Sequence, residues 1–227
     1  MTDSNFNRRA LVGLGGGVAL ATAASTAMAD PAPAQERWTP QAEAQDAWLD
    51  VPGTRHRLVF DTISAKGGEE AIFYADNFIR ANKTAYKLEP DALSVVIIFR
   101  HMSTPYGFND SIWAKYGTSF ADKLELKGKE AIQASKANPL NIADEDGPKD
   151  ADAVTLATLA KKGVHFAVCG MATEAMAGII AKATKQNADA VKKELIANMV
   201  ANAVLVPAGI VTVNRAQEHG YAFAYTG

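Results

Sequence analysis

The sequence predicts a three-layer α/β/α domain with a mostly parallel sheet of about five strands. Short apolar segments typical of strands alternate with segments of helical spacing from His56 onward. One of them, SVVIIFR at residues 94–100, is apolar on both faces. That pattern is typical of a parallel strand covered by helices on two sides, so helices are expected on both faces of the sheet.

The first half of the predicted domain begins with a strand and its helix. Residues 58–62 form a short apolar strand ending in Asp-Thr, and residues 69–82 carry apolar side chains at helical spacing. The second strand is residues 94–100. After a loop that contains proline and glycine, Asn109 or Asp110 is suited to cap the next helix.

A long, partly irregular loop at residues 128–148 begins the second half of the predicted domain. A helix at 150–162 follows, with Gly163 as its stop, and then the third strand at 164–169. Two helices come next, the second of which Asn187 would cap. The remaining predicted elements are a strand at 203–206, a helix at 208–218 and a last strand at 221–225.

Residues 1–29 have the composition of a bacterial export signal. Arg8 and Arg9 precede an uncharged run rich in alanine and glycine, which ends in the small-residue cleavage pattern Ala27-Met28-Ala29. The arginine pair predicts a signal of the twin-arginine type and therefore a periplasmic protein. An uncleaved membrane anchor is the alternative, because the apolar run has about the length of a membrane span, roughly 20 residues.

Two further segments complete the predicted organisation. Residues 30–55 are rich in proline, alanine and glutamine and are expected to form an extended N-terminal arm, and residues 56–227 form the α/β domain.

The formal net charge of −2 gives no positive surface for nucleic acid. No segment after the signal approaches the length of a membrane span, so no span is expected in the mature protein.

The only cysteine, Cys169, lies where the third strand ends and a helix begins. Parallel sheets place their ligand crevice outside the carboxyl ends of the strands, and a helix N-terminus favours a thiolate. His101 directly follows the second strand, so both residues are candidates for the same edge. Together they suggest a nucleophilic thiol with a histidine that moves its proton.

Position alone leaves a second interpretation open for both candidates. Free cysteine is among the most buried residue types, so Cys169 is equally suited to be a small core residue. A histidine at a strand end is more often a structural residue that anchors its loop, and this is the alternative for His101. His165 shares a face with Cys169 but starts the strand, which favours a core position.

No metal or cofactor site is expected from the sequence. His56 and His219 lie beside no cysteine or carboxylate cluster. The chain also has no dinucleotide-binding glycine motif after a strand, no nucleophile-elbow serine motif and no P-loop.

Three segments also carry a resemblance to a known family: KKGVHFAVCGMATEAMAG, VLVPAGIVTVNRAQEHGYAFAY and IIFRHMSTPYGFNDSIWAKYG. They resemble the DsrE/DsrF-like sulfur-relay superfamily, and more narrowly its exported branch. The resemblance implies a five-stranded parallel α/β unit that assembles into oligomers and a persulfide-carrying cysteine near the sheet edge. Cys169 matches that cysteine by position. The family's sheet sets the second and third strands side by side, which would bring His101 near Cys169.

The expected function is therefore periplasmic sulfur handling. Cys169 would carry sulfur as a thiolate or persulfide and His101 would assist proton movement, with a sulfur donor or acceptor protein and further copies of the chain as partners. The alternative is a non-catalytic module that binds a small ligand or assembles oligomers. An aromatic group would line its surface or else belong to the core: Tyr106, Phe108, Trp113 and Tyr116.

Overall fold

The computed structural model describes residues 39–143 and 152–227. The predicted signal at 1–29 and the first part of the predicted arm lie outside the described residues. Five strands form one sheet in the order β4-β3-β2-β1-β5, and every neighbouring pair is parallel. The strands are β1 (His56–Thr62), β2 (Leu93–Phe99), β3 (His165–Cys169), β4 (Ala203–Val206) and β5 (Ala222–Thr226). The predicted α/β/α architecture is confirmed.

Helices connect the strands on both faces of the sheet. The helices of the described ranges are α1 (Ala65–Tyr86), α2 (Asp110–Leu124), α3 (Lys129–Ala134), α4 (Leu156–Lys161), α5 (Gly170–Thr184), α6 (Ala188–Ala197) and α7 (Gly209–Glu218). None of them is both long and apolar enough to cross a membrane.

Two predicted helix caps are confirmed and two predicted helix starts differ. The Asn109 and Asn187 side chains accept hydrogen bonds from the first turns of α2 and α6. α1 begins earlier than predicted, because the Ser64 side chain accepts a hydrogen bond from the Gly67 amide and caps the helix there. Among the described residues, α4 begins only after Thr155, whose side chain caps it.

The two faces of the sheet carry cores of different size. Helices α1, α2, α5 and α6 cover one face with the larger core. On the other face, the α7 face, α7 and a 3-10 helix at Ala44–Leu49 cover a smaller core. Its buried members are Leu49, Val59, Val96, Ile98, Ala167, Val206, Ala216 and Tyr221.

Part of the segment expected to be an extended arm packs on the sheet. Leu49 is fully buried, and its carbonyl accepts a hydrogen bond of 2.8 Å from the Tyr221 hydroxyl. The same hydroxyl lies 2.6 Å from the Ser94 hydroxyl on β2. Burial of Leu49 and this buried bond hold the 44–49 helix against the α7 face.

The aromatic group left open by the sequence belongs to the core. Tyr106, Phe108 and Trp113 are fully buried, and Tyr116 is almost so. The Trp113 indole donates a hydrogen bond of 3.0 Å to the Pro105 carbonyl. These rings therefore stabilise the fold and do not line a ligand surface.

Candidate functional site

The carboxyl ends of the three central strands meet at one edge of the sheet. β2 and β3 are neighbours, and Val168 is in register with Phe99, so the next residues, Cys169 and Arg100, are adjacent along the edge. β1 contributes Asp61, which pairs with Ile98. Because strand side chains alternate between faces, Asp61, Arg100 and Cys169 all belong to the α7 face.

Cys169 is both the last residue of β3 and the N-cap of the 15-residue helix α5. The tight turn depends on Gly170, since a Cβ at this position would lie 2.9 Å from the Val206 carbonyl oxygen. The turn is also held by hydrogen bonds from the Met171 amide to the Pro207 carbonyl and from the Thr173 hydroxyl to the Cys169 carbonyl. The thiol is therefore fixed at a helix N-terminus.

The thiol is almost enclosed. Cys169 is 7% exposed and free of any disulfide. No side chain caps α5 at this position. The position therefore combines a nearly covered sulfur with the positive end of a helix.

His101 lies at the same edge but does not bond to the thiol. It is exposed, begins the 3-10 helix His101–Gly107 and has a left-handed φ of 56°. Its side chain makes no hydrogen bond or ion pair within the described ranges. The left-handed backbone ends the extended run directly after Arg100, so strand alternation no longer governs where the His101 side chain lies.

Asp61 and Arg100 form a two-point ion pair beside Cys169. The Nε and Nη2 atoms of Arg100 lie 2.6 Å and 2.8 Å from the two Asp61 carboxylate oxygens. The Asp61 side chain is 4% exposed and that of Arg100 is 24% exposed. The pKa of Arg100 is raised, first by the Asp61 hydrogen bonds, against the effect of burial, with further contributions from the charges of Asp61, Tyr225 and Cys169.

The surrounding backbone fixes Arg100 in this pose. The Arg100 amide donates a hydrogen bond of 3.1 Å to the Ser103 hydroxyl, whose oxygen also lies 2.9 Å from the Thr62 carbonyl. On the other side, a Cβ at Gly209 would lie 2.6 Å from the Arg100 Cβ, so the first residue of α7 must be glycine for this packing. Hydrogen bonds to Asp61 of β1 and close packing against Gly209 of α7 therefore fix the position of Arg100.

Sequence reasoning did not select Asp61 or Arg100. Both are charged residues at the ends of otherwise apolar strands, which is the same signal that selected His101. Their partnership spans 39 positions in the chain. It depends on the pairing of β1 with β2, which no local pattern reveals.

His165 lies at the opposite end of β3 and takes no part in this edge. Its ring is 6.2 Å from the Trp48 ring between centroids. Its Nδ1 atom is buried and has no hydrogen-bond partner among the described residues. Burial lowers the pKa of His165.

A groove of about 380 Å³ opens next to Cys169 between β4, α5 and α6. An ion pair between Glu174 and Lys192, 2.9 Å apart, belongs to its wall. The lining residues are Gln45, Gly170, Met171, Glu174, Lys192, Ile196, Leu205, Val206 and Pro207. The groove therefore offers apolar and charged contacts beside the residues that flank the thiol.

Metal-ligating side chains do not gather at this edge. No group of three or more histidine, cysteine, aspartate or glutamate side chains is placed to hold a metal ion in the part of the chain that the structure describes.

No family model matches the chain, and no curated protein matches it. A solved structure of a protein of unknown function from Methanobacterium thermoautotrophicum is similar, with a TM-score of 0.37 and 13% sequence identity. The match covers 75% of this chain and 99% of that one, and it carries no information on activity.

Proposed function

We propose that the chain is a sulfur carrier of the DsrE-like type, in which Cys169 holds one sulfur atom as a persulfide and passes it on. The observation that carries the proposal is the position of Cys169 as the final residue of β3 and the N-cap of α5. The partial positive charge of a helix N-terminus stabilises a sulfur anion, and the small exposure of Cys169 limits the access of solvent to a bound persulfide. The resemblance of the segments around Cys169 to the sulfur-relay superfamily supports the same role.

The chemistry needs only one cysteine. The Cys169 thiolate attacks the outer sulfur of a donor persulfide, a new S–S bond forms at Cys169 and the S–S bond of the donor breaks. The donor leaves as a thiolate, and the hydrogen stays on the transferred sulfur. Discharge is the same exchange in reverse onto an acceptor thiolate, so neither step consumes an oxidant or a reductant.

His101 enters this proposal as an exposed proton carrier. It makes no hydrogen bond to Cys169 within the described ranges, so it would act on a bound donor or through a water molecule. His101→Ala is expected to slow sulfur loading without abolishing it, whereas Cys169→Ser abolishes it.

The proposed setting is the periplasm, reached through the signal predicted at residues 1–29. The proposed partners are a sulfur donor, an acceptor protein and further copies of the chain. Export is checked by fractionating cells that express the full chain, and the oligomeric state by light scattering of the purified protein.

Thiol labelling with and without a small persulfide donor, followed by intact mass, tests the proposal. The folded protein is expected to gain one sulfur atom on Cys169 and to lose it again on reduction. A Cys169 that is never modified while the protein is folded would overturn the carrier role.

The groove beside Cys169 favours a second candidate function, a non-catalytic module that binds a small ligand. On this account Cys169→Ser leaves every cellular phenotype of the wild type intact, while Ile196→Trp, which fills the groove, removes the phenotype. The carrier role predicts that the serine variant behaves like a deletion.

A further inference from the structure

Part of the Arg100 guanidinium makes no hydrogen bond to the described residues. An arginine carries five N–H donors, and the Asp61 carboxylate accepts from Nε and from one N–H of Nη2. The Nη1 group and the second N–H of Nη2 have no acceptor among residues 39–143 and 152–227. These remaining donors form the end-on fork of the guanidinium, which matches a carboxylate in a two-point hydrogen bond.

The fork is accessible and already oriented. The Arg100 side chain is 24% exposed, so a ligand can reach it, whereas the Asp61 side chain is 4% exposed and fixes its other edge. Contact with Gly209 holds the aliphatic part of the side chain. Binding would therefore require little ordering of the arginine.

The fork also lies beside the thiol. The β2–β3 register makes Arg100 and Cys169 adjacent along the edge and places both on the α7 face. Cys169 is near enough to Arg100 to act on its pKa. A small molecule held by Arg100 would therefore have its remaining atoms close to the sulfur.

We infer that Arg100 is a specificity-determining residue of this site, which binds the carboxylate of a small persulfide donor and presents its outer sulfur to Cys169. The inference rests on the proposed function of Cys169. The transferred sulfur forms a bond to Cys169 while the donor S–S bond breaks, and the donor leaves as a thiolate with its carboxylate still on Arg100. Asp61 is a positioning residue, because it acts on the donor only through Arg100.

The charge balance at this edge is compatible with a bound anion. The Asp61–Arg100 pair is neutral, so the incoming carboxylate adds its negative charge to that of the Cys169 thiolate that the proposed reaction uses. The N-terminus of α7 packs directly on Arg100, and its N-cap, Ala208, has no side chain that accepts hydrogen bonds from the first turn. The amides of Gly209 and Ile210, which donate no hydrogen bond within the described residues, provide partial positive charge that offsets part of the added negative charge.

A pair of matched donors tests the inference: the persulfide of N-acetylcysteine and the persulfide of its amide. Wild-type protein is expected to load sulfur from the acid at least about tenfold faster than from the amide, the usual value of a charge-assisted two-point contact. Arg100→Gln is expected to load both at the slower rate. An equal rate for both donors in the wild type, or a preference that survives Arg100→Gln, overturns the inference.

Two further variants separate recognition from folding. Arg100→Gln alone leaves the Asp61 carboxylate buried without a cation, so the double variant Asp61→Asn, Arg100→Gln keeps the edge uncharged and paired. It is expected to show the same loss of preference. Lys192→Gln is the matched control, because Lys192 is the cation of the neighbouring groove; loss of the preference in this variant with retention in Arg100→Gln overturns the assignment.

A protection experiment makes failure of the two proposals distinguishable. S-methyl-N-acetylcysteine, which cannot transfer sulfur, is expected to slow alkylation of Cys169 by iodoacetamide in the wild type and not in Arg100→Gln. If no donor loads the wild type but this protection is present, the carrier role fails, while carboxylate binding by Arg100 next to Cys169 stands. If sulfur is loaded but the thioether gives no protection, the role of Arg100 fails.

Discussion

The environment of the thiol depends on two charged residues that belong to different strands. Arg100 is the neighbour of Cys169 along the edge, and Asp61 fixes Arg100 with hydrogen bonds of 2.6 Å and 2.8 Å. A buried carboxylate is tolerated here because the guanidinium accounts for both of its oxygens. The Asp61–Arg100 pair therefore stabilises the fold and also fixes the side chain next to Cys169.

Removal of one partner of this pair is expected to be costly. Arg100→Met leaves Asp61 buried and unpaired and should lower the free energy of unfolding by about 3 kcal/mol. The double variant Asp61→Leu, Arg100→Met removes both charges and should recover most of that loss. Urea denaturation of the wild type and both variants measures the effect, and equal losses in the single and double variants would contradict it.

His165 gives the fold a predictable dependence on pH. Burial lowers its pKa in the folded state below the value of about 6.5 for an unfolded chain, so the unfolded state binds the proton more strongly. Above that pH the ring is neutral in both states, so proton binding does not change stability, and stability is lost as the pH falls through about 6.5. The free energy of unfolding of the wild type should thus decrease more between about pH 7.5 and pH 5.5 than that of His165→Leu. An identical pH dependence in the two proteins would show that burial of His165 has no such effect.

At the scale of elements, the turn from β3 to α5 decides where the thiol lies. Gly170 allows the close approach of β4, because a Cβ would lie 2.9 Å from the Val206 carbonyl oxygen and 3.3 Å from that of Pro207. Both obstacles are backbone atoms, which cannot rotate away. The geometry of the site is therefore linked directly to the pairing of β3 with β4.

Two glycines of the same helix provide a matched test. Gly170→Ala should lower the free energy of unfolding by about 1–3 kcal/mol and change the alkylation rate of Cys169. Gly178→Ala, at an exposed position of α5 with no atom within 4 Å of the new Cβ, should stabilise the protein by about 0.5–1 kcal/mol. Thermal unfolding of both variants checks the opposite signs, and destabilisation by both would contradict the account.

At the scale of the whole molecule, local patterns predicted the strands and several helix ends. Asn109 and Asn187 were recognisable as caps, because capping needs only the residue and the turn that follows. The strands were recognisable because each is a short apolar segment between helical ones. Parallel order followed from this alternation, and the structure has it throughout the described sheet.

The site was predicted only in part, because its geometry depends on contacts between distant residues. Cys169 was selected from its predicted place at a strand end, and it is the last residue of β3. The pairing of Asp61 with Arg100 depends on the register of β1 against β2, which the sequence alone does not show. The left-handed backbone at His101 ends the extended conformation after Arg100, so the alternation of side chains along β2 does not predict where the His101 side chain lies. Burial of the aromatic group likewise depends on how α2 packs on the sheet.

The most direct test of the account follows one sulfur atom through the protein. Purified protein is loaded with a small persulfide donor, freed of excess donor and given an acceptor thiol, and its intact mass is recorded before and after. The account predicts that the wild type gains the mass of one sulfur and loses it to the acceptor, while Cys169→Ser gains none. A folded wild type that stays unmodified, or a serine variant that takes up the same sulfur, would contradict it.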